Sequence, residues 1–360
     1  MNRVSICHIN QKEKELTELF ISSNNIPKYI LGVNKLAKSV QKYIKVDGII
    51  DDFTRVQTSK NKNILNISDI PKDAIILVAS TASPLEVKQK LDDMGFINFN
   101  YLSFYRFCGF DLVAPPFMVD FADDFKKNFD KYETIYQLLA DNLSKKIFQK
   151  VINFKITFDI EYMIGFTNDH KGQYFDKTIL PDMPNMIFVD GGGYVGDTAR
   201  QLVSHFPDFK KIYLFEPNEK NITIAKKRLK DIANIEFFNI GLSNKKATLN
   251  FNDKMSYSAI YTAGATTVCV DTIDNIITQK VDFIKLDIEG AEQDAIDGAT
   301  RTIAKYTPVI ACCIYHKAQD WYKIPQKVLS INNHYKIYIR HYMEGIFETV
   351  MYFIPKPKEL

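Results

Sequence analysis

The sequence is poor in cysteine. Its five cysteines (Cys7, Cys108, Cys269, Cys312 and Cys313) are odd in number and scattered, and none forms a Cys-x-x-Cys pair. This arrangement argues against a disulfide framework and against a structural zinc site. We therefore expect reduced, buried thiols, as in a cytoplasmic protein.

Long apolar runs are also missing. The longest, Ala74 to Ala79 and Val309 to Tyr315, fall far short of the roughly 20 residues that a membrane-spanning helix needs. The start of the chain, Met1 to Leu16, is polar and lacks the apolar centre of a secretion signal. These absences predict a cytoplasmic protein without a transmembrane segment.

The chain also has no large excess of positive or negative charge. The 46 basic and 43 acidic residues leave a net charge of +3 without a long basic run. The electrostatic footprint of a nucleic-acid-binding protein is therefore not apparent. The chain has 360 residues, and 46% of them are apolar. This length and this apolar content are sufficient for two folded domains.

The most informative segment is Ile187 to Gly196, where an apolar strand leads into Asp190 and then into a glycine turn. Three glycines have the Gly-x-Gly-x-x-Gly spacing: Gly191, Gly193 and Gly196. Glycines between a buried strand and a helix let a ligand approach the backbone, and Asp197 and Thr198 suit the start of that helix. The segment predicts a cofactor-binding turn.

The next strand suggests which cofactor binds. Lys211 to Phe215 ends in Glu216, 20 residues beyond Gly196, where the ribose of an adenosine needs a carboxylate acceptor. Asp190 would place a negative charge beside the cofactor, which repels a pyrophosphate and attracts a sulfonium and an amino group. This favours S-adenosylmethionine over NAD.

Residues 28 to 110 predict a small α/β unit with a parallel sheet, because apolar strands alternate with helical patterns. The expected elements are a strand at Tyr29 to Leu31, a helix with Leu36, Val40 and Ile44 on one side, a strand ending at Asp51 and Asp52, a strand at Ala74 to Ala79, a helix with Val87, Leu91 and Met94, and an extended segment from Phe96 to Leu102. The first turn contains a single glycine, Gly32. Two interpretations stay open: a site for a nucleotide sugar or similar anion with Asp51 or Asp52 on a ribose, and a structural or partner-docking domain.

Residues 121 to 155 predict two helices between the α/β units. The second carries an apolar stripe at helical spacing that is expected to face the core: Leu143, Ile147, Val151 and Phe154. The segment that follows, Phe158 to Pro184, is rich in Tyr, Phe, Asp, Asn and Gly and includes Tyr174 and Phe175. Such a segment is suited to covering a pocket.

From residue 186 onward the sequence predicts a second sheet. Its strands are Met186 to Val189, Lys211 to Phe215, Ile235 to Ile240, Phe283 to Leu286 and Val309 to Tyr315. In an open parallel sheet the ligand lies beyond the carboxyl ends of the strands. The residues that follow these strands are Asp190, Glu216, Gly241, Asp287 with Glu289, and His316.

Several motifs of this half occur in a characteristic order. They are Phe-Val-Asp-Gly-Gly-Gly-Tyr-Val-Gly-Asp-Thr (188 to 198), Phe-Glu-Pro-Asn (215 to 218), Gly-Leu-Ser (241 to 243), Val-Asp-Thr-Ile-Asp (270 to 274), Lys-Leu-Asp-Ile-Glu-Gly-Ala-Glu (285 to 292), Tyr-His (315 to 316), Tyr-Ile-Arg-His-Tyr (338 to 342) and Glu-Thr-Val-Met-Tyr (348 to 352). On these motifs, residues 174 to 354 resemble the FkbM family of methyltransferases. The resemblance implies an α/β class I methyltransferase fold, which is Rossmann-like with a mostly parallel seven-stranded sheet, behind a smaller N-terminal Rossmann-like α/β domain.

The resemblance also implies S-adenosylmethionine as the cofactor. The glycine turn and Asp190 would hold its methionine portion, Glu216 its ribose hydroxyls, and Asn218 with the Gly241-Leu242 turn its adenine. The full set of expected cofactor-binding residues is Asp190, Gly191, Gly192, Gly193, Gly196, Asp197, Thr198, Glu216, Pro217, Asn218, Gly241, Leu242 and Asp287. The turn departs from the family at Gly193 and Tyr194, where alanine and asparagine are commoner.

Methyl transfer to an oxygen needs alignment of the reacting atoms and removal of the acceptor proton. His316 is our first choice as base, with Asp287 and Glu289 as further catalytic candidates. Alternate residues of a strand face the same side, so both carboxylates are placed to bind the acceptor, orient the histidine or share a metal with it. Sequence separation says nothing of ligand geometry, so we assign no metal.

The expected substrate-binding residues are Tyr174, Phe175 and Trp321, although a packing role for Trp321 is equally open. The leading hypothesis is an S-adenosylmethionine-dependent O-methyltransferase acting on a hydroxyl of a sugar or glycoconjugate precursor, as in surface polysaccharide biosynthesis. The expected partner is a small-molecule or glycan acceptor and not a nucleic acid, and homo-oligomerisation stays open. The predicted domains are residues 1–110 (Rossmann-like), 111–180 (helical linker and covering segment) and 181–360 (catalytic).

Two alternatives remain at this point. An NAD-dependent sugar oxidoreductase would use the same glycine spacing, but it needs a catalytic Tyr and Lys pair that the sequence does not reveal. A scaffold or sensor that binds a nucleotide-like ligand without turnover is the non-enzymatic alternative.

Overall fold

The computed structural model describes residues 8–51, 64–250 and 267–357. The chain divides into two compact units: unit 1 comprises residues 1–123, 149–168 and 343–347, and unit 2 comprises residues 124–148, 169–342 and 348–360. Asp52, one of the two acids proposed to hold a ribose, lies outside the described residues. The predicted domain boundaries at residues 110 and 180 stay a prediction.

The helices of the described residues are α1 (Gln11–Ser22), α2 (Lys35–Val40), α3 (Pro84–Asp93), α4 (Tyr101–Phe107), α5 (Phe121–Lys127), α6 (Phe129–Leu138), α7 (Asn142–Thr157), α8 (Asp197–His205), α9 (Glu219–Arg228), α10 (Ile273–Ile276), α11 (Glu292–Asp297), α12 (Thr300–Tyr306) and α13 (Asp320–Ile331). Two short 3-10 helices are Ile67–Asp69 and Ile160–Met163. None of the helices in the described ranges is long and apolar enough to cross a membrane.

The described strands are β1 (Lys28–Leu31), β2 (Gly48–Ile50), β3 (Ile64–Leu65), β4 (Ile75–Val78), β5 (Ile97–Asn100), β6 (Ile187–Gly191), β7 (Lys211–Phe215), β8 (Ile235–Phe238), β9 (Gly241–Leu242), β10 (Ala247–Asn250), β11 (Thr267–Asp271), β12 (Phe283–Leu286), β13 (Val309–Cys313), β14 (Tyr335–His341) and β15 (Thr349–Pro355).

Unit 1 contains a parallel five-stranded sheet in the order β3-β2-β1-β4-β5. This confirms the predicted small parallel α/β unit. The extended segment predicted to reach Leu102 stops at Asn100, because the Asn100 side chain accepts a hydrogen bond from Ser103 N and begins α4. Ile44 lies beyond the end of α2 at Val40.

The region after residue 120 contains three helices (α5, α6 and α7) where two were predicted. Non-helical residues at Asn128 and at 139–141 separate them. Ile147, Val151 and Phe154 are buried as expected, but Leu143 is 50% exposed. Leu143 lies in the first turn of α7, at the N-terminal end of the predicted stripe.

Unit 2 is built on a seven-stranded sheet in the order β14-β15-β13-β12-β6-β7-β8. All neighbours are parallel except β15, which runs antiparallel to β13 and β14. A separate three-stranded sheet has the order β10-β11-β9. The mostly parallel seven-stranded sheet expected from the sequence is therefore confirmed.

The central strands β6, β12 and β13 are buried along their whole length. This is typical of parallel strands covered on both faces and explains their near-continuous apolar sequences. One residue breaks the pattern, because Lys285 lies in the middle of β12 and is almost completely buried. Its charge needs a partner inside the protein.

Candidate active site

The predicted rim residues of unit 2 meet at one edge of the sheet. β6 lies between β7 and β12, with Gly191 in register with Phe215 on one side and with Leu286 on the other. The backbone N–H of Asp287 donates to Gly191 O at 3.1 Å, and that of Gly192 donates to Phe215 O at 3.0 Å. We call this edge, where β6, β7 and β12 end, the carboxyl edge.

The glycine turn at this edge requires glycine at two positions. Gly192 has a φ of +79°, and a Cβ there would lie 1.8 Å from the backbone oxygen of Asp287. Gly196 has a φ of +82° and precedes the first residue of α8. The turn therefore packs directly against the backbone that follows β12 and leads into the start of a helix, as in a cofactor loop.

Asp190 and Lys285 form a buried ion pair beneath the turn. The Lys285 Nζ atom lies 3.1 Å from Asp190 Oδ1, and the side chains are 2% and 0% exposed. The same ammonium donates to the carbonyl oxygens of Gly191 (3.1 Å) and Gly192 (2.7 Å). Burial opposes the charge of Lys285, but Asp190 and Asp287 together raise its pKa above the ordinary value.

Glu216 follows β7 and is held by backbone donors on both oxygens. Tyr194 N donates to Oε2 at 2.9 Å, and Asn218 N donates to Oε1 at 2.8 Å. Burial nevertheless raises the pKa of this carboxyl. A carboxylate fixed in this way keeps its remaining lone pairs for a ligand such as a ribose diol.

Asp287 follows β12 and accepts hydrogen bonds from two tyrosines. The Tyr174 hydroxyl donates to Oδ2 at 2.9 Å, and the Tyr315 hydroxyl donates to Oδ1 at 3.1 Å. Burial acts to raise the pKa of this carboxyl, but Lys285, His316 and the two hydroxyls outweigh it, so the pKa is lowered. Asp287 is therefore ionised and held in one orientation.

His316 follows β13 and lies among three carboxylates. Its Nδ1 atom is 3.1 Å from Glu292 Oε1, and its Nε2 atom is 3.6 Å from both Asp287 Oδ1 and Glu289 Oε2. Burial acts to lower the pKa of the ring, but the carboxylates, Glu292 foremost, raise it to about 9. At neutral pH the ring is therefore an imidazolium.

The residues that form this site lie in a segment that matches a known protein family. Residues 190–343, which span the glycine turn, Glu216, Asp287 and His316, match the model described as Methyltransferase FkbM domain. The chain carries an FkbM methyltransferase domain. The resemblance inferred from the motifs is confirmed.

A solved structure agrees over nearly the whole chain. The crystal structure of Methyltransferase FkbM from Methylobacillus flagellatus KT has a TM-score of 0.76 and 23% identity, covering 96% of this chain and 94% of its own. At that identity the likeness shows the class I methyltransferase fold. No curated protein matches the sequence.

Other solved methyltransferases resemble this chain far less. A putative rRNA-methylase from Clostridium thermocellum has a TM-score of 0.33 and 12% identity, covering 55% of this chain and 94% of its own. A putative methyltransferase from Streptococcus mutans in complex with SAH has a TM-score of 0.31 and 14% identity, covering 49% of this chain and 91% of its own. These similarities are too low to support an inference about the FkbM domain.

Two predicted roles depend on charges that only the structure of the FkbM domain shows. Asp190 is completely buried and paired with Lys285. Carboxylates surround His316 and raise its pKa to about 9, and an imidazolium has no free nitrogen to take a further proton. The cofactor role of Asp190 and the base role of His316 stay predictions, because the sequence does not show which charges lie within a few ångströms of each other.

Glu289 is the candidate base that the structure favours instead. Its side chain is 49% exposed, and its backbone has a φ of +58°, a left-handed conformation that non-glycine residues rarely adopt. Burial raises the pKa of this carboxyl, whereas the pKa of Asp287 and of Glu292 is lowered. Glu289 is thus the most accessible of the three carboxylates around His316.

The remaining predicted cofactor residues lie around the glycine turn. Asp197 is in the first turn of α8, followed by buried Thr198. Asn218, after Pro217, caps α9 by accepting from Lys220 N and Asn221 N. Leu242, next to Gly241 in β9, reaches the turn, since a Cβ on Gly191 would meet its Cδ1 at 2.9 Å.

Two predicted substrate residues are not brought to this edge. Phe175 is buried among aromatic rings that include Phe188 and Phe283, near the opposite ends of β6 and β12. The Trp321 indole is fully buried and packs edge-on against Phe148 at 5.2 Å between centroids. Of the three, only Tyr174 reaches the site.

Sequence reasoning missed three residues of the FkbM domain: Lys285, Glu292 and Tyr315. A lysine inside the apolar run Phe-Ile-Lys-Leu was a usable signal, because a buried lysine needs a paired charge. Glu292 and Tyr315 lie in two of the characteristic motifs (285 to 292 and 315 to 316), but the motifs alone gave neither side chain a role.

Replacing Lys285 with methionine is expected to destabilise the FkbM domain by about 3–5 kcal/mol, because Asp190 would stay buried without its cation. The free energy of unfolding from urea titration measures this cost. The double variant Asp190→Asn with Lys285→Met is the matched control. Its loss in the free energy of unfolding should be much smaller than the sum of the losses in the two single variants. A Lys285→Met protein within about 1 kcal/mol of the parent would contradict the ion-pair assignment.

Proposed function

We propose that this protein transfers a methyl group from S-adenosylmethionine to a hydroxyl of a sugar or glycoconjugate precursor in the cytoplasm. The main support for the proposal is that the carboxylates of Glu216, Asp287 and Glu289 lie at the carboxyl edge of an FkbM domain. Residues 181–360 would be catalytic, with residues 1–110 aiding recognition or assembly.

The charges of the site support S-adenosylmethionine over NAD. Glu216 would accept the two ribose hydroxyls with the lone pairs that its two backbone donors leave free, a feature that suits either cofactor. Asp197, however, occupies the first turn of α8, where the pyrophosphate of a dinucleotide would bind. Together with Asp287 and Glu289 it favours a donor that carries positive charge.

The chemistry supplied by the cofactor is an electrophilic methyl group on a sulfonium, attacked in line by the acceptor oxygen. The Asp287 carboxylate, fixed by two tyrosine hydroxyls, accepts a hydrogen bond from the acceptor hydroxyl and orients it. Glu289 would take the proton that the acceptor hydroxyl loses on methylation. The protonated His316 holds both carboxylates in place.

A hydroxyl acceptor fits the groups that line this edge. Ionised carboxylates accept hydrogen bonds and have none to donate, so they pair with hydroxyl donors. Asp287 and Glu289 together offer several acceptor positions, as recognition of a polyhydroxylated sugar requires. The resemblance to FkbM methyltransferases, which are usually O-directed, points in the same direction.

The test measures donor binding and product formation separately. Calorimetry is expected to show saturable binding of S-adenosylmethionine and none of NAD. Incubation with nucleotide sugars, lipid-linked sugars and simple alcohols is expected to add the mass of one methylene group to a sugar acceptor. Saturable binding of NAD alone would support an oxidoreductase, and donor binding without any mass gain would support a non-enzymatic scaffold.

A further inference from the structure

The motif at residues 348–352 has no part in the proposed reaction so far, but two of its side chains hold the segment that contains Tyr174. The Tyr174 backbone N–H donates to the Tyr352 hydroxyl at 3.0 Å, and the Gln173 side-chain amide donates to Glu348 Oε2. Gln173 and Tyr174 are both buried. We call Gln173, Glu348 and Tyr352 the Tyr174 support.

The Tyr174 hydroxyl has a fixed direction. It accepts from Gln173 Nε2 at 2.9 Å, donates to Asp287 Oδ2 at 2.9 Å and lies 3.4 Å from Cys313 Sγ. A hydroxyl has one proton, a glutamine NH₂ group only donates, and an ionised carboxylate only accepts. The Tyr174 proton therefore points to Asp287, and the bond from Gln173 keeps it there.

Glu348 lies close enough to Asp287 to compete for this single proton. One carboxylate oxygen of Glu348, one of Asp287 and Cys313 Sγ lie within 4.8 Å of one another. Burial and the Asp287 charge raise the pKa of Glu348 to about 7, so part of this carboxyl is ionised at neutral pH. Gln173 Nε2 carries two protons and donates to both Glu348 and the Tyr174 hydroxyl. Gln173 thereby supplies Glu348 with a donor and leaves the Tyr174 proton to Asp287.

The backbone at both ends of this hydrogen-bonded chain is unusual. Tyr174 has a φ of +68° and Glu348 a φ of +64°, in the left-handed region that non-glycine residues rarely adopt. Such conformations cost energy, persist only where the surrounding structure imposes them, and cluster at active sites. They support a functional reason for the placement of the two side chains.

We propose that Gln173 and Glu348 are positioning residues, which fix the Tyr174 hydroxyl as a donor to Asp287 and so hold this carboxylate toward the acceptor. The inference rests on the proposed function, in which Asp287 orients the acceptor hydroxyl. Neither Gln173 nor Glu348 needs to touch the acceptor or the methyl donor. Because their effect passes through the Tyr174 hydroxyl, it should change the rate of methyl transfer and not the binding of the donor.

The kinetic test uses the full-length protein, S-adenosylmethionine and the sugar acceptor that the mass gain identifies. Gln173→Leu removes both donated hydrogen bonds at similar side-chain size and is expected to lower kcat about 10- to 100-fold. Affinity for S-adenosylmethionine, measured by calorimetry, should stay within ~3-fold of the parent. Gln279→Leu is the matched control, because Gln279 donates at 2.5 Å to the hydroxyl of Tyr213, which is not one of the two tyrosines bonded to Asp287. Its kcat should equal that of the parent.

Two substitutions at Glu348 separate its hydrogen bond from its charge. Glu348→Ala removes the oxygen that accepts from Gln173 and is expected to lower kcat about 10-fold. Glu348→Gln keeps an accepting oxygen in its amide group and is expected to restore kcat to within ~3-fold of the parent. Because Glu348 is only half-buried, this pair remains informative if the Gln173→Leu variant fails to fold, which circular dichroism detects.

Two kinetic results would overturn the positioning role: kcat within ~3-fold of the parent in both Gln173→Leu and Glu348→Ala, or equal losses of kcat in Glu348→Ala and Glu348→Gln. A parent that binds S-adenosylmethionine but methylates no acceptor would refute the proposed function. Crystal structures of the parent and of Gln173→Leu then decide the positioning role without turnover. The Tyr174 hydroxyl oxygen is expected to lie beyond ~3.5 Å from Asp287 Oδ2 in the variant, whereas an unchanged distance of 2.9 Å would overturn the inference.

Discussion

Replacing Glu216 with glutamine is expected to weaken binding of S-adenosylmethionine by about 10²- to 10⁴-fold. In the proposed site the carboxylate accepts two ribose hydroxyls, and each hydrogen bond to a charged group contributes about 1.5–3 kcal/mol. The new amide would also turn its NH₂ toward Tyr194 N or Asn218 N, which are donors themselves. Isothermal titration of the cofactor measures the loss.

The control for this prediction is Glu219→Gln. Glu219 is an exposed glutamate three residues further along, in the first turn of α9. The Glu219→Gln substitution removes the same charge from the same region without touching the carboxyl edge. Binding of S-adenosylmethionine should therefore change less than ~3-fold. Equal losses in both variants would mean that general charge, and not ribose recognition, explains the effect.

Replacing Glu289 with glutamine is expected to lower kcat by about 10²- to 10⁴-fold, the usual contribution of a positioned general base. Cofactor affinity should stay within ~3-fold of the parent, because Glu289 lies beside His316 and the ribose is proposed to bind to Glu216. Single-turnover methyl transfer and cofactor titration on the same preparation separate the two effects.

Asp294→Asn is the matched control for the Glu289 variant. Asp294 lies in helix α11 and accepts a hydrogen bond from the Asn244 side chain at 3.1 Å, and it is not one of the carboxylates paired with His316. Its turnover should equal that of the parent. If Glu289→Gln turned over at the parental rate while Asp287→Asn did not, the acceptor proton would go to Asp287 and our assignment of the base would be wrong.

The candidate site could be located from the sequence because of a property of parallel sheets. Strands that run in one direction end at one edge, so the residues after β6, β7 and β12 had to meet there whatever their distance along the chain. Glu216 and Asp287 were found in this way, and the glycine spacing marked the turn between them.

The roles of the same residues could not be predicted so well. Asp190 was expected to face the cofactor, but it is buried against Lys285, and His316 was expected to act as a base, but its pKa is raised to about 9. Trp321 and Phe175 were expected near the substrate and lie in the core. In each case the outcome depends on neighbours that are distant in sequence.

The amino-acid sequence by itself determined the strands, the glycine turn and the edge at which acidic residues gather, because strand periodicity and backbone sterics are local properties of the chain. Only the tertiary structure decided which acids are neutralised, which stay accessible and what charge His316 carries. The reason is that electrostatic interactions act over a few ångströms in space. Lys285, Glu292 and Tyr315 reach that range only after the chain has folded.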